Sequence, residues 1–207
     1  MSCRIYFVRH GQTTWNAESK FQGHTDVPLS SMGVGQAESL AKRLTGYRIS
    51  AFYTSDLSRA VKTAEILAQP HNLPVVPIPG LREVNFGSWE GKVFSNEVKD
   101  KLIKSGKSWW DSSLEGSGPR GESLSQMSAR VNESIRSIVE RHLDDQEIVV
   151  VSHGGVIRAV IAVVLGMDLV HYWRLRLDNA CLNIIDFNSP DKGMLVLFND
   201  LSHLSCL

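Results

Sequence analysis

The sequence predicts a three-layer α/β/α sandwich on a mostly parallel sheet of about six strands, with one strand antiparallel. Three observations predict it. Short apolar runs alternate with helix-period segments along the chain, the pattern of βα units that put a parallel sheet between helices. The run "IVVVS" (148–152) is apolar throughout, as a central strand covered on both faces requires. The last two runs are joined by "NSPDKG", too short for a crossover helix, so they pair as an antiparallel hairpin.

The strands in order are "RIYFV" (4–8), "AFYTS" (51–55), "VVPI" (75–78), "IVVVS" (148–152), "CLNIIDF" (181–187) and "MLVLF" (194–198). Helices are predicted over 32–45, 56–69, 122–142 and 155–166. The third carries Leu124, Met127, Val131, Ile135 and Ile138 at spacings of three and four, an apolar stripe on one face. Ser123 and Gln126 at its start have the pattern of a capping box, and Asp56 is the expected cap of the second helix. The length of 207 residues fits one α/β domain, 1–207. Residues 93–121 are the least regular, with Trp109, Trp110 and "SSLEGSGPRGES". They are expected to be a surface loop or a segment covering a site.

Composition excludes several function classes. Lys plus Arg and Asp plus Glu are both 22, so the basic excess of a nucleic-acid binder is missing. Cys3, Cys181 and Cys206 are odd in number and contain no CxxC, which supports neither a disulfide framework nor a zinc ribbon. They read as reduced thiols of a cytoplasmic protein. Arg4, Arg9 and His10 interrupt any signal-peptide core. The longest apolar stretch, 159–167, falls short of the ~20 residues of a membrane span.

Four stretches carry chemistry. "YFVRHGQTTWN" (6–16) ends a buried run in Arg9 and His10, where ligands of open parallel sheets bind. "YTSDLSRAVKTAEIL" (53–67) ends a strand and begins a helix with Arg59 in its first turn; alone, that arginine reads as an exposed ion-pair partner. "VVVSHGGVIRAV" (149–160) ends a second buried strand in His153, then Gly154 and Gly155. Glycines let backbone approach a ligand, and a helix N-terminus offers free N–H groups to an anion. One strand-end histidine is more often structural; two, each followed by glycine, point to a site. "LREVNFGSWEG" (81–91) puts Glu83 in a loop, where spacing alone does not separate it from a surface carboxylate.

"RHGQTTWN" (9–16) resembles the RHG signature of the histidine phosphatase superfamily, the phosphoglycerate mutase-like proteins. The resemblance continues in order through "FQGHTDVPLSSMGVGQA" (21–37), "TSDLSRAVKTA" (54–64), "LREVNFGSWEG", "GES" (121–123) and "VSHGGVIR" (151–158). It implies the phosphoglycerate mutase-like fold. It also implies that His10 is a nucleophile that becomes phosphorylated and that Glu83 is the proton donor to the leaving group. Arg9, Arg59 and His153 are then the phosphate pocket, with Asn16, Gln22, Gly23 and Gly154 as further binding positions. The chemistry agrees. Imidazole attack splits one hard hydrolysis into two displacements, and a rigid cationic clamp stabilises the charge on the transferring group. Arginine's planar fork suits phosphate. Neighbouring arginines disfavour protonation of His10, and its second nitrogen is expected to donate to a backbone carbonyl that the sequence does not identify.

No metal and no cofactor is expected: the seven histidines show no HxH or HExxH spacing. "SGKSWW" (105–110) fails as a P-loop because Lys101 stands where the first glycine is required. "GVGQAE" (33–38) lacks the third glycine of a dinucleotide fingerprint, and "NES" (132–134) is a sequon inside a predicted helix. The expected function is metal-independent hydrolysis of a small phosphomonoester, of the α-ribazole 5′-phosphate, phosphosugar or phosphoserine type. A cofactor-dependent phosphoglycerate mutase is the alternative; such mutases tend to be longer, and "FGSWEG" resembles the phosphatase branch, near α-ribazole and broad-specificity phosphatases. A non-catalytic phosphate sensor is the remote alternative, since it would be expected to have lost His10 or Glu83. Trp89, Trp109 and Trp110 are candidates for an apolar wall or for core. The C-terminal "LFNDLSHLSCL" is a candidate homodimer contact.

Overall fold

The computed structural model describes residues 2–93 and 120–205. The expected covering segment, with Trp109 and Trp110, lies almost wholly outside the described residues, as does Cys206.

The sheet has the order β3-β2-β4-β1-β5-β6. Its strands are β1 (Cys3–Arg9), β2 (Ile49–Thr54), β3 (Val75–Pro77), β4 (Gln146–Ser152), β5 (Leu182–Ser189) and β6 (Lys192–Asp200). The β1–β4, β2–β4 and β2–β3 pairings are parallel. β5 alone is reversed, antiparallel to both β1 and β6, and the β5–β6 connection is the expected hairpin. β1 and β4 are central and buried on both faces, which is why their sequences are near-continuous apolar runs.

Helices cover both faces. α1 (Thr14–Ala17) is a single turn; α2 (Ser31–Leu44) and α3 (Ser58–Ala68) lie on one side, α4 (Leu124–Arg141) and α5 (Gly154–Val164) on the other. Alternation along β1 divides the core: Tyr6 and Val8 pack with Leu40, Leu44, Ala64 and Leu67, whereas Ile5 and Phe7 pack with Met127, Val131, Ile135 and Ile157. The apolar stripe of α4 is buried as its spacing predicts, and Ser123 and Gln126 form both bonds of the capping box.

Asp56 is not a cap. α3 begins at Ser58, behind Leu57, which makes no side-chain cap bond. The Asp56 carboxylate instead takes Arg82 (Nε–Oδ1 2.7 Å), and Asp26, from another loop, accepts from Ser58 N at 2.8 Å and Ser58 Oγ at 2.7 Å. A local cap was displaced by a tertiary ion pair, which that arrangement satisfies without loss at the helix end.

Register positions the site. Arg9 lies opposite Ser152 in the β1–β4 pair, so His10 and His153, each the next residue, leave the sheet side by side. The His10 amide donates to Ser152 O at 3.0 Å. Below them the chain is tightly packed: a Cβ on Gly11 would stand 2.3 Å from Gly33 O, so the loop after β1 and the start of α2 approach as closely as they do only because neither residue has a side chain.

Candidate active site

The two histidines are buried, His10 at 3% exposure and His153 at 0%, with ring centroids 5.1 Å apart. They are tethered through opposite nitrogens. His10 Nδ1 lies 2.7 Å from Gly11 O, so it carries the proton and donates, leaving Nε2 with a free lone pair. This carbonyl is the acceptor the sequence could not identify. His153 Nε2 lies 2.8 Å from Ser55 Oγ. Ser55 Oγ also accepts from Leu57 N at 3.4 Å; among the described residues Nε2 is the acceptor in reach of its hydroxyl proton, which assigns the proton of His153 to Nδ1. That Nδ1 is buried with no partner among the described residues.

Burial holds the pKa of His10 well below the ordinary histidine value, and the charges of Arg59 and Arg9 push it the same way. Burial does the same to His153, reinforced by Arg59, His10, Arg9 and Arg130. Both rings are therefore neutral at physiological pH.

The cations sit in fixed frames. Arg59, fully buried, donates to Thr25 O at 2.9 Å and Gly23 O at 2.7 Å; Arg9 Nη1 donates to Leu177 O at 2.5 Å. Burial lowers the pKa of each guanidinium, yet an arginine stays protonated at neutral pH. The Nε of each is buried without a partner among the described residues. Buried donors of this kind are normally satisfied, and their concentration here marks an anion site. Asn16 turns its Oδ1 to Thr13 N and Asn179 Nδ2, at 3.0 and 3.1 Å, leaving its amide N–H groups. Gln22 Oε1 accepts from Thr13 Oγ1 at 2.9 Å, leaving its N–H groups likewise.

Glu83 closes the far side. Both carboxylate oxygens lie 3.1 Å from Gly155 N, at the start of α5, where the helix dipole favours negative charge. A Cβ on Gly155 would stand 2.3 Å from Glu83 Oε1, so this approach requires the glycine. The Glu83 loop is braced from α4. Arg130 donates to the carbonyls of Gly80 (2.9 Å), Arg82 (2.7 Å) and Glu83 (2.8 Å) and grips Glu122 through Nε (3.0 Å) and Nη2 (2.5 Å). Glu90 does the same for the loop under Arg59, accepting from His24 N (2.9 Å), Thr25 N (2.9 Å) and Thr25 Oγ1 (2.5 Å).

These groups surround a cavity of ≈ 320 Å³. Of the residues singled out in the sequence, Arg9, His10, Asn16, Gln22, Gly23, Arg59, Glu83 and Gly154 line it, and His153 stands against His10. Sequence reasoning missed Lys20, Phe21, Phe86, Arg158 and Trp173, and it read Gly155 only as half of the glycine pair that lets backbone approach a ligand. Arg158 and Gly155 lie inside a block already recognised, where helical spacing could have found Arg158 one turn beyond Gly154; Trp173 lies in a 3-10 helix (Leu169–Arg174) with no signal. Trp89 is not in the wall: it packs on Phe21, ring centroids 6.0 Å apart, because the short helix Gly87–Trp89 turns it toward the core. Among the described residues no group of three or more His, Cys, Asp or Glu could hold a metal ion, and no helix is long and apolar enough to cross a membrane.

A neutral imidazole with a free lone pair, facing two guanidiniums and a helix N-terminus with a carboxyl group opposite, is equipped to accept and pass on a phosphoryl group. The fold and site are those of a phosphoryl-transferring α/β enzyme. The sequence profile described as histidine phosphatase superfamily (branch 1) matches residues 5–201, and the chain belongs to that superfamily. It is 33% identical to a probable phosphoglycerate mutase GpmB of Proteus mirabilis, covering 98% of this chain and 95% of that protein. Among solved structures it resembles YhfR of Bacillus stearothermophilus, with a TM-score of 0.87 and 31% identity over 98% of this chain and 100% of that one. A putative alpha-ribazole-5′-P phosphatase of Escherichia coli superposes with a TM-score of 0.83 and 32% identity, over 96% of this chain and 97% of that one.

Proposed function

We propose that this enzyme hydrolyses small phosphomonoesters through a phosphohistidine on His10, with no metal ion. One observation carries the reading: His10 gives its only proton to Gly11 O and so offers Nε2 to a cavity walled by Arg9 and Arg59. In the first step Nε2 attacks phosphorus, the bond to the ester oxygen breaks, and that oxygen takes the proton of the Glu83 carboxyl group. The imidazole, bonded to phosphorus, keeps its Nδ1 proton on Gly11 O. In the second step water gives a proton to the Glu83 carboxylate and its oxygen attacks phosphorus; the N–P bond breaks and inorganic phosphate leaves. Arg9, Arg59, Asn16, Gln22, His153 Nδ1–H and the Gly154 amide hold the equatorial oxygens, while Gly23 fixes Arg59 through its carbonyl.

A mutase reading is the second one, and the relative named a probable phosphoglycerate mutase favours it. That protein is of nearly the same length, so length does not separate the two activities. They separate by acceptor: water in one, a hydroxyl of a bound acid in the other. We further read 1–207 as one catalytic domain and the protein as cytoplasmic, which the buried free thiols of Cys3 and Cys181 suit. The test is phosphate release in EDTA from α-ribazole 5′-phosphate, phosphoserine, sugar phosphates, 3-phosphoglycerate and p-nitrophenyl phosphate. Strong release from one metabolite is expected. Conversion of 3-phosphoglycerate to its 2-isomer without release would establish the mutase instead.

A further inference from the structure

Asn179 is not among the residues lining the cavity, yet its side chain reaches two that are, His10 and Asn16. Its Nδ2 lies 3.1 Å from His10 O and 3.1 Å from Asn16 Oδ1. The backbone settles which atoms these are. His10 O is a carbonyl and only accepts, so the Asn179 atom facing it is the nitrogen. The other N–H of that nitrogen goes to Asn16, so the Asn16 atom receiving it is the oxygen. Thr13 N donates to the same oxygen at 3.0 Å. The Thr13 hydroxyl is also 3.1 Å away, but its one proton serves Gln22 Oε1 at 2.9 Å. Two N–H donors on one amide oxygen occupy its in-plane lone-pair directions. Together they fix the plane of the Asn16 amide and leave its Nδ2 for the cavity.

The loop that carries Asn179, residues 177–181 ahead of β5, holds other pocket groups in the same way. Leu177 O accepts from Arg9 Nη1 at 2.5 Å, Cys181 O accepts from Arg9 N at 3.3 Å, and Ala180 N donates to His10 O at 3.2 Å. Ala180 takes a left-handed φ of 56° to do so, a conformation that its Cβ makes costly and that the surroundings must enforce. The enforcement comes from β6. Asn199 Oδ1 accepts from Asp178 N and Asn199 Nδ2 donates to Asp178 Oδ2, both at 2.9 Å, while Asn199 N donates to Oδ1 of the buried Asn183 at 2.8 Å. A ligand-binding amide works only when its own orientation is locked by its neighbours. We propose that Asn179 is a positioning residue: it locks the Asn16 amide so that the Asn16 N–H groups, and not its oxygen, meet the phosphoryl oxygens. This rests on the reading of the cavity as a phosphate site.

Calorimetry with inorganic phosphate, and NMR of the Asn16 side-chain amide, test this on the full chain without turnover. Asn179→Ala should weaken phosphate binding by about 10-fold, the range of a hydrogen bond to a charged group. In an Asn16→Ala background the same substitution should change binding by less than about twofold, because the amide it orients is gone. Asn179→Asp keeps the shape and removes both N–H donors, and it should lose at least as much as Asn179→Ala. When phosphate is added, the Asn16 side-chain N–H signals, identified by their loss in Asn16→Ala, should shift in the wild type and stay in place in Asn179→Ala. Unchanged phosphate binding in Asn179→Ala, or an Asn179→Asp protein that binds like the wild type, would overturn the proposal. So would equal losses with and without Asn16, or an Asn16 signal that still shifts in Asn179→Ala; either would confine Asn179 to supporting the His10 carbonyl. A wild type that binds no phosphate would overturn the reading of the cavity and this proposal together, a result distinct from the others.

Discussion

His10 and His153 occupy equivalent places. Each follows the last residue of a central strand, each precedes a glycine, and each is buried beside the same two arginines. They differ in which nitrogen is tied. A backbone carbonyl takes the Nδ1 proton of His10 and leaves a lone pair at Nε2; a serine hydroxyl feeds Nε2 of His153 and leaves a proton at Nδ1. One ring is thereby an acceptor facing the cavity and the other a donor. The lesson is that the second hydrogen bond, and not the residue type or its depth, separates a nucleophile from a clamp.

The largest effect should come from removing the acceptor. His10→Ala should lower turnover of every ester by about 10⁴-fold or more, since the covalent route is lost; retained activity would end the comparison. Next is the group that serves the leaving oxygen. Glu83→Gln should slow alkyl phosphates by about 10²–10⁴-fold and p-nitrophenyl phosphate far less, because a nitrophenolate leaves without a proton. Equal slowing of both classes would take Glu83 out of the acid role. Ser55→Ala should cost about 10- to 100-fold in kcat, as His153 loses the bond that fixes its tautomer. Ser55→Thr, which keeps the hydroxyl, should recover much of that loss, a recovery that a purely structural role for Ser55 would not require.

The last effect is on stability and leaves the chemistry untouched. The unfolded chain protonates a histidine near its ordinary value, whereas folded His10 and His153 resist protonation to well below it. Between those limits the unfolded state binds more protons. Stability is therefore complete above pH ~6.5 and lost as pH falls, by about 1.4 kcal/mol per unit for each ring. His71 and His203 are shifted the same way, first by burial. Urea midpoints between pH 7.5 and 5 should show the slope, reduced by one ring's share in His10→Ala. A flat profile would mean that the buried rings are not held neutral.

Much of this was legible in the chain because it lies at strand ends. Apolar runs fix where β1, β2 and β4 stop, and parallel pairing then brings Arg9, His10, Ser55 and His153 to one edge. The family blocks supplied the roles of Glu83 and Asn16, which no spacing rule reaches. What stayed hidden depends on packing. Trp89 turns inward to Phe21 while Trp173 takes the wall, and nothing local in either sequence separates the two. Arg82 takes Asp56 across the fold and leaves α3 to be capped by Asp26. Arg130 joins α4 to the Glu83 loop across 47 to 50 residues of sequence, so this brace appears only when the chain is folded.

The chemistry turns on one atom. The enzyme should be mixed with p-nitrophenyl phosphate, quenched in alkali within milliseconds, digested, and the phosphorylated histidine located by mass spectrometry, with its nitrogen assigned by NMR. A phosphoryl group on Nε2 of His10, and none on His153, is the predicted result. Phosphate on Nδ1 of His10, on His153, or on no residue during active turnover would contradict the claim that the Gly11 carbonyl makes this histidine the nucleophile.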